Sequence, residues 1–295
     1  DRYADTRDYP SIKGPSYLAV HLRFGTISIR YLVSLAVWQT RIAAQNLGAE
    51  IVARANANGY TVLTSTSTLL TVNPSLYQMS FRVDKDLQPI TVLASGEQAV
   101  VVHPGVPAKT LQEVIALSKS QSGGLSYGTS GTGGTPHIAG ELLAQRTGAQ
   151  LTHVPYKGGG PAMTDVLGGS IPLVYTAVAG AHGHVKSGKL RAIAVSSAQR
   201  TPALPDVPTF IESGVSDFVV NSWVGLLAPA KTPTVVVQRL NAELNAVLND
   251  PVVKDKLQTL GIDASPGTPE QFGEQLRRDL NRYGQVVKAA NIRLE

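Results

Sequence analysis

Hydrophobic positions along this chain switch repeatedly between a period of two and a period near 3.6, and each switch marks a change from strand to helix. Ala43–Asn56 reads as a helix ending near Gly59, and the run Tyr60-Thr-Val-Leu-Thr-Ser65 after it is β-rich. Ile90–Ala94 and Ala99–Val102 read as two further strands. Thr110-Leu-Gln-Glu113 has capping-box spacing and opens a helix reaching to Ser118. Leu125 begins a short strand that leads through a Gly, Ser and Thr loop into a helix carrying Ile138, Ala139, Leu142 and Leu143 on one face. Strands are predicted at Leu151–Val154, Ile171–Tyr175 and Leu190–Val195, with helices near Pro161–Leu167 and Ala181–Ser187 between them. Phe218–Leu227 is β-like, and three helices close the chain: Pro233–Leu248, Val252–Leu260 and Pro269–Ala290. Thr268, Pro269 and Gln271 give the last helix its N-cap, first position and N3 residue. This alternation predicts an α/β architecture.

Composition narrows the class. With 295 residues, 43% hydrophobic and 16% charged, the chain can bury the cores of two ordinary domains. Two punctuated stretches mark expected crossings between them, His103-Pro-Gly-Val-Pro107 and Val220–Trp223. They predict a discontinuous first domain of residues 1–103 plus 221–295 and an inserted second domain of residues 104–220. The apolar run Ile27–Trp38 is too short to span a bilayer and contains Arg30, so the chain is expected not to be membrane-embedded. The charged start Asp1-Arg-Tyr-Ala-Asp5 leads into no signal-peptide core, which predicts either a cytosolic protein or a processed, mature form. Without cysteine there is no disulfide, no thiolate nucleophile and no thiolate metal site. A formal charge of +5 suits an anionic ligand, while the scattered Lys and Arg predict no nucleic-acid partner.

The chemistry concentrates in Tyr127-Gly-Thr-Ser-Gly-Thr-Gly-Gly-Thr-Pro-His137. Thr135 is the expected N-cap and Pro136 the first helical residue. A glycine loop that ends at a helix N-terminus aims backbone N–H groups and the positive end of the helix dipole at one place, which favours an anion. The candidate ligand-binding residues here are Tyr127, Gly128, Thr129, Ser130, Gly131, Thr132, Gly133, Gly134, Thr135 and His137, with hydroxyl donors from Thr129, Ser130 and Thr132. His137 sits at the second helical position, where it either faces the ligand or packs. A second strand–glycine–helix cluster, Val154-Pro-Tyr-Lys-Gly-Gly-Gly160, adds Lys157 and Gly158, either as a charge and an amide nest or as a tight turn with a solvated lysine. Thr64-Ser-Thr-Ser-Thr68 stands at the C-terminal end of a predicted strand, where ligands of open α/β sheets gather, or forms a polar sheet edge. It contributes Ser65, Thr66 and Ser67, and Thr176 joins them at the end of the strand Ile171–Tyr175.

Rival chemistries lack parts. The loop is similar to the Ser-Gly-Thr-rich phosphate loop of acyl-adenylating enzymes, but His137 stands in place of the lysine and the chain is too short for that fold. No Gly-Lys-Ser/Thr follows for a Walker A loop, and Pro136 occupies the third glycine of a Rossmann fingerprint. A nucleotide- or phosphate-using transferase is therefore the alternative, and it lacks a catalytic base. Ser130 does not sit in a Gly-x-Ser-x-Gly elbow, because Thr132 stands where the second glycine belongs, and His182-x-His184 has no neighbouring carboxylate pair and is expected at the surface of a helix start. No catalytic residue, metal or cofactor is expected.

Taken together, Tyr127–Glu141, Val154–Ala162, Gly188-Lys-Leu-Arg-Ala-Ile-Ala-Val195 and Pro205-Asp-Val-Pro-Thr209 resemble the Bug/TctC family of solute-binding proteins of tripartite tricarboxylate transporters. Asn46–Glu50, Asn58-Gly-Tyr-Thr61 and Asn73-Pro-Ser-Leu-Tyr77 extend the likeness from Ala43 to the C-terminus. The resemblance implies a two-domain periplasmic binding protein of the Venus-flytrap type, each domain a mixed sheet flanked by helices. It further implies secretion to the periplasm, a small carboxylate held between the domains by backbone amides of two facing loops, delivery to membrane transporter subunits, and no catalysis; the protein is expected to be a monomer. Gly128–Thr135 matches one family loop. The other, Pro-Phe-x-x-Gly-Gly followed by an acidic residue, survives here only as Phe24, Gly25 and Thr26, which implies a divergent half-site.

Overall fold

A computed structural model describes residues 42–259 and 261–293 of the chain. Phe24, Gly25 and Thr26 lie outside the described residues. Helix α1 (Ile42–Ala53) leads to β1 (Leu63–Thr66) and three single-turn helices, α2 (Ser67–Thr71), α3 (Asn73–Leu76) and α4 (Val83–Asp86). Strands β2 (Leu87–Gly96) and β3 (Gln98–Val102) follow, then α5 (Leu111–Ser120), β4 (Leu125–Thr129), α6 (Thr135–Thr147), β5 (Leu151–Pro155) and α7 (Gly159–Leu167). The chain continues with β6 (Leu173–Ala177), α8 (Val178–Lys186), β7 (Arg191–Val195), β8 (Ser222–Pro229), α9 (Thr234–Asn249), α10 (Pro251–Thr259), β9 (Asp263–Ala264) and α11 (Pro269–Ala289).

Two sheets result, ordered β1-β8-β2-β9 and β5-β4-β6-β3-β7. The five-stranded sheet is mixed, with β4 parallel to β5 and β6, and β3 antiparallel to β6 and β7. In the four-stranded sheet all described pairs are antiparallel. Gln98–Val102 belongs to the five-stranded sheet, so the chain first crosses at Gly96–Gln98, ahead of His103–Pro107. It returns before Ser222, close to the expected Val220–Trp223.

Each sheet is buried on both faces, and the period of two shows which residue goes where. Val100, Val102, Leu173 and Tyr175 pack with Ile138 and Leu142 of α6 on one face. Ala99, Val101 and Val174 pack with Ala162 and Val166 of α7 and with Ala181 of α8 on the other. In the first sheet, Trp223 and Leu227 meet Phe272 and Leu276 of α11. Leu226 and Ala228, on alternate positions of the same strand, meet Val237 and Leu244 of α9. Helix α11 joins the two halves. Phe272 and Leu276 lie in the core of the first sheet, whereas Tyr283, Val286 and Val287, two to three turns beyond Leu276, lie in that of the second. Arg282 of this helix also donates to the carbonyls of Val219 (2.9 Å) and Asp217 (2.9 Å), fastening the returning strand.

Helix starts divide into two kinds. At α5, Glu113 N–H donates to Thr110 Oγ1 (3.2 Å) and Thr110 N–H to Glu113 Oε2 (3.3 Å), the expected capping box. At α11, Gln271 N–H donates to Thr268 Oγ1 (3.2 Å) and Thr268 N–H to Gln271 Oε1 (2.9 Å), again as expected. Helices α6, α7 and α8 have no side-chain cap. The N-cap of α6 is Gly134 rather than Thr135, which is already helical as the first residue. The Thr135 hydroxyl instead meets Thr68 Oγ1 at 3.3 Å, linking α6 to α2. His182 and His184 lie in the second half of α8 rather than at its start.

Candidate functional site

The uncapped helices open into one cleft of about 630 Å³. On the side of the five-stranded sheet it is lined by Ser130, by Gly134, Thr135 and Pro136 at the start of α6, and by Gly159 and Gly160 at the start of α7. Thr176, Ala177 and Gly180, at the start of α8, complete that wall together with Met163. The opposite wall has Thr66, Ser67 and Thr68 after β1, the end of β2 at Ser95 and Gly96, and Ser222, Trp223 and Val224 on β8. Three helix N-termini thus present positive dipole ends to one volume, and hydroxyl groups face them. Part of each start is already engaged: Val178 N–H donates to Glu97 O (2.9 Å) and Gly158 N–H to Ser130 O (3.1 Å), while Gly134 N–H reaches Gly131 O at only 3.4 Å.

Of the residues the sequence selects, Thr66, Ser67, Ser130, Gly134, Thr135 and Thr176 come together on the cleft walls. Gly131, Thr132, Gly133 and Gly158 are loop residues beside that lining rather than in it, and Lys157 is exposed. Ser65 is buried on β1, one residue short of the lining. Tyr127, Gly128 and Thr129 are buried on β4, below the loop.

His137 faces inward. Its Nδ1 accepts the Gly133 N–H at 3.0 Å, and its ring stacks on that of His153 with centroids 3.6 Å apart and planes 10° apart. His153 Nε2 lies 2.6 Å from Thr129 Oγ1, which accepts the Gly131 N–H at 3.2 Å. Tyr127 donates its hydroxyl to Glu141 Oε1 (2.8 Å), and the same oxygen stands 3.7 Å from His137 Nε2. Burial disfavours charge throughout this layer. It draws His137 down to about 4, draws His153, which also feels His137, down to about 3, and raises Glu141 and Tyr127.

Several cleft residues have no polar signature in the sequence. Trp223 is held by its indole N–H, which donates to buried Asp279 on α11 at 3.0 Å, and by an edge contact with Phe272. Gln98 is 1% exposed, and its Nε2 donates to Ser222 Oγ (3.1 Å) and Gly96 O (3.4 Å), so its Oε1 stays unpartnered among the described residues. Met163 and Ile262 add apolar surface. These side chains come from segments far apart in the chain, and only an aromatic in a β-like run, Trp223, could have drawn notice.

Residues 36–292 match the family model for the tripartite tricarboxylate transporter family receptor. The chain belongs to this family. It is 31% identical to the protein BugT of Bordetella pertussis over 84% of this chain and 77% of that protein. Among solved structures it is similar to R. palustris Rpa4515 with adipate, at 30% identity, TM-score 0.71 and coverage of 84% of this chain and 83% of that one. It is also similar to a TctC solute-binding protein from Polaromonas solved without ligand, at 27% identity, TM-score 0.76 and 84% coverage of both chains. These similar proteins are two-domain periplasmic binding proteins, and the two sheets flanked by helices conform to that architecture. Among the described residues no helix is long and apolar enough to cross a membrane, and no cluster of three metal-ligating side chains occurs.

Proposed function

We propose that this receptor captures a small carboxylate in the cleft between its two sheets and hands it unchanged to a membrane transporter from the periplasm. The observation that carries the reading is the convergence of three uncapped helix N-termini, α6, α7 and α8, on one cleft. Free N–H groups and dipole ends at one place recognise a carboxylate without a counter-charge. Charge-assisted bonds to such donors contribute about 1.5–3 kcal/mol each. A few of them, less the costs of ordering and desolvation, support micromolar binding, about −8 kcal/mol. The similar R. palustris protein was solved with adipate, a dicarboxylate with an apolar middle, and Met163, Trp223 and Ile262 supply apolar wall here. The ligand-binding residues in this reading are Thr66, Ser67, Ser130, Gly134, Thr135 and Thr176.

The two domains proposed are the four-stranded unit, formed by both ends of the chain, and the inserted five-stranded unit, with hinges at Gly96–Gln98 and near Asn221. Closure about these hinges exchanges ligand hydration for preorganised donors.

Titrating the purified chain with mono-, di- and tricarboxylates while following tryptophan fluorescence and thermal midpoint tests the reading, with ATP as control. A ligand specific for the folded state stabilises it by about 2.7 kcal/mol at a hundredfold excess over Kd. A saturable response to a carboxylate and none to ATP is expected. Response to ATP alone overturns the proposal in favour of a nucleotide-using protein.

A further inference from the structure

The loop that supplies Ser130 and Gly134 to the cleft rests on a largely buried layer of polar side chains, Tyr127, Thr129, His137, Glu141 and His153, none of which lines the cleft. We propose that His137, stacked on His153, is the positioning residue of this loop: its Nδ1 lone pair holds the Gly133 N–H, and proton uptake at that nitrogen frees the loop. The inference rests on the reading of the cleft as an anion site only for its consequence, since a freed loop no longer presents its donors in one arrangement.

The geometry sets the tautomer. Nδ1 accepts a backbone N–H at 3.0 Å, so it carries no proton, and the ring proton sits on Nε2. Gly133 is at φ +76°, in the left-handed region, and a glycine enters either sign of φ about equally readily, so the bond to His137 helps select this one. Protonated Nδ1 cannot accept, and it turns a hydrogen bond into two opposed N–H groups while leaving Gly133 N–H buried and unpaired.

His153 repeats the arrangement one layer away. Its Nε2 meets Thr129 Oγ1 at 2.6 Å, and that hydroxyl holds the Gly131 N–H at 3.2 Å. Alternate loop amides, 131 and 133, are thus tied down through the two stacked rings. The groups facing His137 are Glu141 from its own helix, His153 from β5, Tyr127 from β4 and the Gly133 amide from the loop. Those facing His153 are His137, Tyr127 and Thr129. Glu141 already accepts from Tyr127, and at 3.7 Å it makes no hydrogen bond to His137 Nε2. Stacked rings 3.6 Å apart also disfavour two positive charges, so the pair is built to stay neutral.

The test uses the full, ligand-free chain, so it succeeds or fails independently of carboxylate binding. Imidazole ¹⁵N spectra at neutral pH are expected to show His137 protonated on Nε2 alone. Corrected for intrinsic rates, amide exchange at Gly131–Gly134 is expected to rise by roughly tenfold or more as His137 titrates, the change that goes with losing one hydrogen bond. His137→Asn places its Oδ1 where Nδ1 stands and cannot titrate. It is expected to keep the neutral-pH protection and to lose the acid response, whereas His137→Leu loses protection at every pH. A proton on Nδ1 at neutral pH, undiminished Gly133 protection in His137→Leu, or an acid response of the Gly133 amide that survives in His137→Asn overturns the proposal. If His137→Leu does not fold, wild type against His137→Asn decides.

Discussion

Helix starts in this protein come in two kinds, and the difference follows their position. Helices α5 and α11 begin away from the cleft and are closed by complete capping boxes at Thr110–Glu113 and Thr268–Gln271. Helices α6, α7 and α8 begin at the cleft with Gly134, Gly158 and Ala177 as N-caps, none of which offers a side-chain acceptor. A cap satisfies orphan N–H groups from within and is worth about 1 kcal/mol. Leaving it out at three neighbouring helices forgoes that stability and keeps donors for a ligand. Helix α9, which follows Pro233, also lacks a side-chain cap, so position at the cleft together with convergence, and not the missing cap alone, marks the site.

The strongest way to break this contrast is to cap a cleft helix. Gly134 has φ −67° and ψ 159°, open to any residue, and an added Cβ would make only ordinary contacts, 3.4 Å to Gly131 O and 3.6 Å to Pro136 Cδ. Gly134→Asp is expected to hold or slightly raise stability in urea unfolding, by about a few tenths of a kcal/mol. It places a fixed carboxylate where the ligand's belongs, so affinity for a responsive carboxylate should fall by about a hundredfold or more. Unchanged affinity in a folded Gly134→Asp protein would show that the start of α6 does not bind ligand.

Acid sharpens the contrast, because the α6 loop is held by imidazole rather than by a carboxylate cap. An unfolded histidine titrates near pH 6.5, roughly its reference value. His137 and His153 are drawn down to about 4 and about 3, so between those values and their unfolded ones the unfolded chain binds more protons. Their contribution is fully present above the unfolded pKa and is lost as pH falls through the folded values. Glu141 and Asp279, raised chiefly by burial, act in the opposite sense and lose stability as pH rises. Urea unfolding of wild type should therefore weaken from pH 6.5 toward 4 more steeply than that of His137→Asn. Equal slopes would contradict the neutral, buried state of His137.

The smallest effect belongs to the capped set. Thr110→Ala removes the acceptor of Glu113 N–H and is expected to cost about 1 kcal/mol in urea unfolding while leaving carboxylate affinity unchanged. A change in affinity there would mean that the distinction between the two kinds of start does not separate fold from function.

Much of the fold was legible because its signals are local. The two capping boxes, the alternation of strand and helix, and the apolar face of α6 all depend on residues within a few positions of one another, and each stands where expected. The site was legible in part. The glycine loop, the Thr66–Ser67 cluster and Thr176 reach one cleft, since each ends a strand on the same side of its sheet. His137 and Tyr127 read as ligand contacts because they flank the loop, yet the buried layer under it is made by His153 and Glu141, whose role no spacing reveals. Thr135 reads as a cap, but a hydroxyl on α2 gives it a partner across the cleft.

The sequence by itself determined that glycine-rich turns precede α6 and α7, because that depends only on adjacent residue types. It also determined the family, whose signals are runs of adjacent residues. Only the tertiary structure decided that three such turns share one cleft and that Gln98, Trp223 and Ile262 complete it. Only tertiary structure, too, assigned the end of α11 to the core of the second sheet. Those outcomes come from packing between segments separated by scores of residues, and burial, not local pattern, fixes which side chains meet there.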